Sequence, residues 1–218
     1  MTRPTQLVVV TGTGTSVGKT WVGARVLARL RTLGQRVAAR KPVQSFEPDA
    51  GPTDADLLAD ATGEYPDQVC ASQRWYELAL APPMAAAALG RPPIALADLV
   101  AEVSWPAAVD VGLVEGVGGP RSPLAADGDT VDLVRLLRPD VVALVAESGL
   151  GAINAVRLAA APFLGLTRVV VVLNRFEPDV SLHTANRQWL AGGGLDVVVG
   201  PAGLAERLGS ATDPLLPR

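Results

Sequence analysis

Short runs of aliphatic residues alternate along the chain with longer segments in which apolar residues recur every three or four positions. This pattern is typical of a parallel β-sheet with helices on both faces, because strands buried on both faces are almost continuously apolar. The apolar runs predict six strands, at residues 7–11, 36–41, 109–115, 140–146, 168–173 and 195–199. We therefore expect an α/β fold with a mostly parallel central sheet, and a chain of 218 residues suits a single domain over 1–218.

Helical periodicity is clearest after the first strand, where a helix is predicted from Lys19 to about Gly34. Its apolar positions lie on one face, at Val22, Val26, Leu27, Leu30 and Leu33. Further helices are predicted near 54–61, 83–89, 96–103, 130–138, 151–163, 183–191 and 202–208. Residues 44–53 are polar and rich in Pro and Gly, so they are predicted to form an exposed loop.

Chemically distinctive residues follow the predicted strands. They are the loop 12–20, Lys41-Pro42, Glu115-Gly116, Asn174 and Gly200-Pro201. In an open parallel sheet, ligands bind in the crevice outside the carboxyl ends of the strands. Since each of these five segments ends or follows a predicted strand, we expect them to converge on one edge of the sheet.

The loop at residues 12–20 reads GTGTSVGKT and joins the first strand to the first helix. Glycines free backbone N–H groups to bind phosphate, Lys19 supplies a positive charge, and the Thr20 hydroxyl suits Mg²⁺. The common form of such a loop, G-x-x-x-x-G-K-[ST], has glycine where this chain has Thr13. An ordinary strand-to-helix turn is the alternative, but Gly-Lys-Thr in this context favours a phosphate site.

Three further residues could complete a site at the same edge. Glu115 ends an apolar strand before a glycine-rich segment, and its carboxylate suits Mg²⁺. Asp54 could ligate the same ion or simply cap a helix. Lys41 precedes Pro42, which holds its backbone extended, and could stabilise the charge of a transferring phosphoryl group. Lys19 and Lys41 are the only two lysines in the sequence, which favours function over a solvated surface position.

Composition excludes several kinds of function. The net charge of −3, with no large block of one sign, removes the electrostatic reason to expect nucleic acid or an anionic membrane as partner. One cysteine and one histidine exclude an internal disulfide framework and a Cys- or His-based metal cluster. No signal-peptide pattern and no membrane-length apolar run occur, so a cytoplasmic location is expected.

Together these motifs resemble the dethiobiotin synthetase family of P-loop NTPases, ATP-dependent enzymes of biotin synthesis. The family's loop reads G-T-x-T-x-V-G-K-T, with its first glycine one place early, and residues 12–20 fit it without a gap. The resemblance continues in order through KPVQS at 41–45, TDA at 53–55, VEGVGG at 114–119, LGAIN at 150–154 and VLN at 172–174. It spans most of the chain, with the final forty or so residues only loosely matched.

The resemblance implies an enzyme that uses ATP and Mg²⁺ to carboxylate 7,8-diaminononanoate and close it to dethiobiotin. It implies that Lys19 holds the ATP phosphates, that Thr15 lies near the transferred phosphoryl group, and that Lys41 binds a carbamate. The remaining implied nucleotide contacts are Gly14, Ser16, Val17, Gly18, Thr20, Glu115, Gly118, Asn174 (to the nucleobase) and Pro201. Thr20, Asp54 and Glu115 are the implied metal ligands. The implied substrate contacts are Lys41 and Ser45, with Gly151, Ala152, Ile153 and Asn154 reaching in from the other subunit of a homodimer.

Some positions depart from the family pattern. Phe46 stands where glycine is usual, Ala155 replaces a common histidine, and Pro120-Arg121 replace two apolar residues. Alternative interpretations are a related ligase with another substrate and a diverged ATPase of the ParA/MinD type. A ligase of the cobyrinate amidase type carries a further glutaminase domain for which this chain has no room. The ParA/MinD type has a lysine early in its loop, which this sequence lacks.

Overall fold

The computed structural model describes residues 3–209. Ten strands and nine α-helices are formed within them. In chain order these are β1 (Gln6–Gly12), α1 (Lys19–Thr32), β2 (Val37–Arg40), β3 (Gln44–Ser45), α2 (Asp54–Thr62), α3 (Pro66–Val69), β4 (Trp75–Tyr76), α4 (Pro82–Ala88), α5 (Leu96–Glu102), β5 (Val111–Glu115), β6 (Pro123–Ala125), β7 (Gly128–Asp129), α6 (Thr130–Leu137), β8 (Val141–Glu147), α7 (Ala152–Ala160), β9 (Arg168–Asn174), α8 (Ser181–Gly192), β10 (Asp196–Val199) and α9 (Gly200–Gly209).

Six of these strands form one parallel sheet in the order β10-β9-β8-β1-β5-β2. They are the six strands that the apolar runs predict, so the predicted α/β class and parallel sheet are confirmed. After β1 the chain crosses to the edge strand β2 and returns to place β5 between β2 and β1, and it then continues on the other side of β1 through β8, β9 and β10. The carboxyl ends of β1, β2 and β5 consequently lie side by side, which brings the loop after β1 close to the ends of its neighbours.

Helices cover both faces of the sheet. Alternate residues of β1 point to opposite faces, with Leu7 and Val9 in one apolar cluster and Val8 and Val10 in the other. Helices α4 to α8 contribute to the first cluster, and α1, α2, α3 and α9 contribute to the second. Buried aliphatic side chains dominate both clusters, as the low aromatic content of 4% requires.

The hydrophobic pattern does not predict several of the short elements. Residues Gln44–Ser45, predicted to be part of a loop, instead form strand β3, which pairs in parallel with β4. The hairpin of β6 and β7 and the single turn α3 were also not predicted. Elements of two to four residues are too short to show a hydrophobic period. Helix α7 stops at Ala160, earlier than the predicted 163, because Pro162 takes the chain into a short 3-10 turn.

No helix within residues 3–209 combines the length and the apolar character needed to cross a bilayer.

Candidate nucleotide and carboxylate site

The glycine-rich loop between β1 and α1 requires glycine at two of its positions, Gly12 and Gly18. Gly18 caps α1 with φ at 94°, in the left-handed region that glycine enters readily. A Cβ atom on Gly12 would lie 2.6 Å from the Cγ2 atom of Val17, so the loop folds back tightly on its own glycine. By contrast, a Cβ atom on Gly14 would meet nothing within 4 Å. The glycine needed for close packing is therefore Gly12, and Thr13 is not among the residues with a positive φ, so its backbone does not require glycine.

Asn174, at the end of β9, holds this loop from the side. Its Nδ2 atom donates to the carbonyl of Val17 at 2.9 Å, and its side chain is buried. A Cβ atom on Gly18 would lie 2.3 Å from the same Nδ2 atom. One amide proton of Asn174 is thus committed to the loop. The residue predicted to contact a nucleobase is also a structural support of the phosphate loop.

Lys41 is the centre of a buried ionic cluster. Its Nζ atom lies 2.6 Å from Oε1 of Glu115 and 2.7 Å from Oδ2 of Asp54, and it donates to the carbonyl of Gly116 at 3.1 Å. The three protons of the ammonium group therefore have three acceptors. Lys41 and Glu115 are almost completely removed from water, while the side chain of Asp54 is 40% exposed.

The backbone around Lys41 is held by the neighbouring Arg40. The guanidinium group of Arg40 pairs with Glu64 at 2.7 Å and lies 5.0 Å from the ring centre of Trp105. The amide of Lys41 donates to the carbonyl of Val69 at 2.8 Å. These contacts fix the end of β2, so Lys41 enters the crevice from a rigid support.

Thr20 joins the ionic cluster to the phosphate loop. Its hydroxyl oxygen lies 2.7 Å from Oδ1 of Asp54 and 2.9 Å from Oε1 of Glu115. A single hydroxyl proton can serve only one of these carboxylates at a time. Moreover, the buried Oε2 atom of Glu115 has no hydrogen-bond partner among residues 3–209. The three side chains form an oxygen-rich group with unused acceptor capacity.

Asp54 occupies this position because the cap of α2 is supplied by another residue. Thr53 is the N-cap: it forms a capping box with Asp56, and its Oγ1 atom accepts from the amide of Asp56 at 3.2 Å. Asp54 is the first helical residue, and its carboxylate points to Lys41 and Thr20. The interpretation of Asp54 as a helix cap is therefore wrong.

The ionic cluster sets the protonation of its members. Burial alone lowers the pKa of Lys41, but the charges of Glu115 and Asp54 outweigh it and leave that pKa above its ordinary value. Burial raises the pKa of the Asp54 carboxyl, yet the charge and hydrogen bond of Lys41 reverse this and hold the pKa below its usual range. Burial raises the pKa of Glu115, and the charge of Lys41 opposes that shift. Lys41 consequently carries a full positive charge at neutral pH.

Lys19, the first residue of α1, turns back over the loop. Its Nζ atom donates to the carbonyl of Gly14 at 2.9 Å, and burial lowers its pKa below the ordinary value for lysine. The two lysines of the chain thus lie on either side of one crevice of about 730 Å³. The charge of Lys41 is paired with the carboxylates of Asp54 and Glu115, whereas the Nζ atom of Lys19 bonds a neutral carbonyl of the loop.

Most of the predicted site residues lie together in this crevice. Those that line it are Thr15, Ser16, Gly18, Lys19, Thr20, Lys41, Ser45, Asp54 and Gly118. Glu115 lies beneath, against Lys41 and Thr20. Sequence reasoning missed Trp21, Leu57, Leu80 and Ser122, which also line the crevice. Trp21 and Ser122 adjoin predicted motifs, but nothing in the sequence indicated that Leu57 and Leu80 would reach the site.

Other predicted residues lie elsewhere. Gly151 is the N-cap of α7, which begins at Ala152. Gly151, Ile153 and Asn154 line a surface cavity of about 630 Å³ with Trp189, and Asn154 also lines a cavity of about 1090 Å³ that shares Thr15 with the lysine crevice. Ala152 is buried beneath them. Pro201 lies in the first turn of α9 and does not line the lysine crevice, although β10 ends at the same edge of the sheet. None of these residues reaches Lys41 within the same chain.

The departures from the family pattern have distinct surroundings. The ring of Phe46 packs edge-on against Trp75, with ring centres 6.1 Å apart, and it does not line the lysine crevice. Ala155, Pro120 and Arg121 instead line a neighbouring cavity of about 1090 Å³. The two kinds of departure therefore affect different parts of the molecule.

Comparisons with known proteins identify relatives of this chain. A family model described as an AAA domain matches residues 6–198. The chain is 41% identical over 157 residues to an ATP-dependent dethiobiotin synthetase of Methylobacterium nodulans, covering 66% of this chain and 69% of that protein. It is 38% identical over 216 residues to the synthetase of the same name from Rhodococcus jostii, covering 94% of this chain and 90% of that protein.

Solved structures share the fold at low sequence identity. A plasmid-partition-type protein from Borrelia burgdorferi has a TM-score of 0.54 at 12% identity, covering 91% of this chain and 86% of that one. The signal recognition particle receptor of Elizabethkingia anophelis has a TM-score of 0.50 at 14% identity, covering 95% of this chain and 66% of that one. Structural similarity at such low sequence identity shows a shared fold and nothing about function.

Proposed function

The chain belongs to the ATP-dependent dethiobiotin synthetase family, a family of ligases of biotin biosynthesis, and from this we propose how its crevice carries out the reaction. The relatives favour this function over a partitioning switch or a ligase with another substrate. One observation carries the proposal for the site, namely the buried ammonium group of Lys41 beside Thr20, Asp54 and Glu115. In this proposal residues 1–218 act as one catalytic domain.

The reaction needs positioning and charge neutralisation more than a protein nucleophile. Carbon dioxide adds to one amine of 7,8-diaminononanoate and gives a carbamate. A carbamate oxygen attacks the γ-phosphate of ATP, and ADP leaves. The second amine then displaces phosphate from the mixed anhydride and closes the cyclic urea. A crevice with two buried lysines matches the negative charge that accumulates through these steps.

Lys41 acts in this proposal as a fixed positive charge. Its raised pKa keeps it protonated, so it cannot accept a proton from the substrate amine at neutral pH. It can instead hold the carbamate anion and stabilise the charge that develops during phosphoryl transfer. Ser45 lines the same crevice and is placed to contact the diamine.

Mg²⁺ would be held by the hydroxyl of Thr20 and the carboxylates of Asp54 and Glu115. The residues fit this ion, because all three offer oxygen and the Oε2 atom of Glu115 is buried without a partner in the described chain. When bound, the ion would neutralise charge on the nucleotide phosphates. Two carboxylates and a hydroxyl leave coordination positions for water and phosphate oxygens, as Mg²⁺ sites usually require.

The phosphate loop would hold the nucleotide. Lys19 and the backbone of Gly14 to Gly18 would bind the phosphates at the start of α1, with Thr15 near the transferred group. Asn174 and Pro201 would lie on the side of the base, and Gly118 would face the phosphates. ATP is the proposed nucleotide, and a cytoplasmic location is proposed because ATP is available there.

A homodimer would complete the substrate site. Residues 151–154 do not reach Lys41 of their own chain, and they lie beside the exposed side chains of Leu150, Leu158 and Trp189. Leu150 is 93% exposed, and it forms a patch with the other exposed apolar side chains. Contiguous apolar patches of this kind mark interaction surfaces. We propose that a second copy of the chain covers this surface and brings residues 151–154 towards the substrate of its partner.

The experiment measures phosphate release from ATP with Mg²⁺ and bicarbonate, with and without 7,8-diaminononanoate, and detects the cyclic urea by mass. Diamine-dependent release with the ring product, abolished in Lys41→Ala and kept in the surface variant Arg135→Met, is the expected result. If phosphate release were the same with and without the diamine and no cyclic urea formed, the synthetase function would be refuted. It would favour a diverged ATPase instead.

A further inference from the structure

Helix α8 carries a buried amide on the side that faces the core. Asn186 and Leu190 are its two buried residues, and Asn186 is only 6% exposed. The Nδ2 atom of Asn186 donates to the carbonyl of Ser148 at 2.9 Å and to the carbonyl of Gly149 at 2.8 Å. Both protons of this nitrogen are therefore used. One side chain thereby holds two successive carbonyls of the turn between β8 and α7.

The hydroxyl group of Ser148 fastens the same turn to the end of β9. Its Oγ atom donates to the backbone carbonyl of Asn174 at 2.8 Å, and Ser148 is 1% exposed. Asn174 in turn donates from its side chain to the carbonyl of Val17 in the phosphate loop. A line of buried hydrogen bonds therefore joins α8, the turn before α7, the end of β9 and the phosphate loop.

This turn determines where α7 begins. The carbonyl of Gly149 also accepts from the amide of Ala152 at 3.2 Å. Gly151, the N-cap, has a φ of 87°, and its side of the helix has no side-chain cap. The amides of Ile153 and Asn154 form no hydrogen bond within residues 3–209. Two N–H donors at the start of α7 are thus available to a ligand.

Such donors bind well only when their position is fixed. A displacement of about 1 Å in a group that positions the substrate can cost about 100-fold in rate. In the proposed homodimer residues 151–154 meet the substrate of the partner, so the turn must hold them in place against a second subunit. Core packing does not explain the amide, because an aliphatic side chain like that of Leu190 fills the same helix face without needing polar partners.

We propose that Asn186 and Ser148 are positioning residues for the substrate site of the partner subunit. They act through the turn, whose position decides where the first amides of α7 lie. This inference rests on the proposed function, since it requires both the synthetase reaction and the homodimer. Its consequence is that a change at Asn186 of one subunit affects the active site that contains Lys41 of the other.

The test uses mixed dimers in which only one active site can work. One subunit carries Lys41→Ala, so the working site combines Lys41 of the other subunit with α7 of the Lys41→Ala subunit, and two affinity tags isolate this dimer. With Asn186→Leu in the Lys41→Ala subunit, we expect the KM for 7,8-diaminononanoate to rise about tenfold, because two hydrogen bonds are lost. The kcat and the affinity for ATP should change little. With Asn186→Leu in the Lys41-bearing subunit alone, the KM should stay the same.

Ser148→Ala is the second variant, because it removes a single hydroxyl group and should fold normally. In the Lys41→Ala subunit it should raise the KM about threefold, and Ser148→Thr, which keeps the hydroxyl, should raise it less. Thr167→Val is the matched control. The hydroxyl of Thr167 also donates to a backbone carbonyl, that of Pro139 at 2.8 Å, but it lies at the other end of β9. Its loss should leave the KM unchanged.

The placement of the variants decides the outcome. A rise in KM only when the change lies in the Lys41→Ala subunit supports the proposal. An equal rise from either placement overturns it, because that result would mean a general disturbance of the fold. An unchanged KM in both placements overturns it as well. If the unaltered protein stays monomeric or yields no ring product, the proposed function fails before any variant is compared, and this inference fails with it.

Discussion

The Nζ atom of Lys41 lies 2.6 Å from the Oε1 atom of Glu115, and both side chains are almost fully buried. Two opposite charges in such a place are stable only while both are present and hydrogen-bonded. Lys41 meets this condition through Asp54 and the carbonyl of Gly116 as well. The cluster thus supports the ends of β2 and β5, and it is also the chemical centre that we propose for the crevice.

Removal of Lys41 should destabilise the protein as well as inactivate it. In Lys41→Met, Glu115 becomes a buried charge without its main partner, and we expect the free energy of unfolding to fall by about 3 kcal/mol or more. The double variant with Glu115→Gln should recover much of this stability and none of the activity. Urea unfolding of both variants measures the effect.

The exposed ion pair of Arg135 and Asp132 provides the control for these Lys41 variants. Arg135→Met breaks an exposed ion pair and should cost less than about 1 kcal/mol. If Lys41→Met and Arg135→Met lowered the free energy of unfolding equally, the Lys41 cluster would not be a buried, interdependent group.

Gly18→Ala should weaken nucleotide binding. An alanine there must adopt a φ of 94°, and its Cβ atom would lie 2.3 Å from the side chain of Asn174. The loop must therefore shift, and we expect the affinity for ATP to fall at least about tenfold, as loss of one charge-assisted phosphate contact does. Titration with ATP followed by calorimetry gives the dissociation constant.

Gly34→Ala is the matched variant, since Gly34 has a φ of 85° and open space around its Cβ position. It should cost about 1 kcal/mol of stability through backbone strain and leave the ATP affinity unchanged. If both variants lost nucleotide affinity to the same extent, local strain rather than the contact with Asn174 would explain the result.

The thiol of Cys70 should be inert in the folded protein. Burial raises its pKa to about 12, and its side chain is buried. At pH 8 a disulfide reagent should label it only after denaturant is added, because the thiolate is the reactive form. Rapid labelling without denaturant would show that this part of the chain opens readily.

The same shift predicts a pH dependence of stability. Above the ordinary thiol pKa of 9.0, Cys70 ionises in the unfolded chain while it stays neutral in the folded one. The free energy of unfolding should therefore fall as the pH rises from about 9 towards 12, and this part of the fall should be absent in Cys70→Ala. Urea midpoints of the two proteins across this range provide the measurement.

Phe46→Leu should affect stability more than substrate use. The ring of Phe46 packs on Trp75, and it does not line the lysine crevice. Loss of the aromatic pair should cost about 1 kcal/mol, while the KM for the diamine should change by less than about threefold. A large rise in KM with unchanged stability would instead place this ring over the substrate.

The pattern of apolar residues alone predicts the sheet and the segments that meet at its edge. Strands buried on both faces need near-continuous apolar residues, so all six main strands are visible in the pattern. The phosphate-binding pattern at 12–20 is one contiguous segment, and Glu115 is the last residue of its strand. Their convergence on one edge follows from the parallel sheet, whatever the contacts between side chains.

The contacts between residues far apart in the chain are visible only in the folded structure. Asp54 is a partner of Lys41 because Thr53, the residue before it, caps α2 and leaves the Asp54 carboxylate free to point to the crevice. Such contacts depend on how the elements pack and on the register of the strands. Hydrophobic periodicity predicts single helices and strands and gives no information about either. The placement of Phe46 against Trp75 was decided in the same way, since two-residue strands leave no pattern in the sequence.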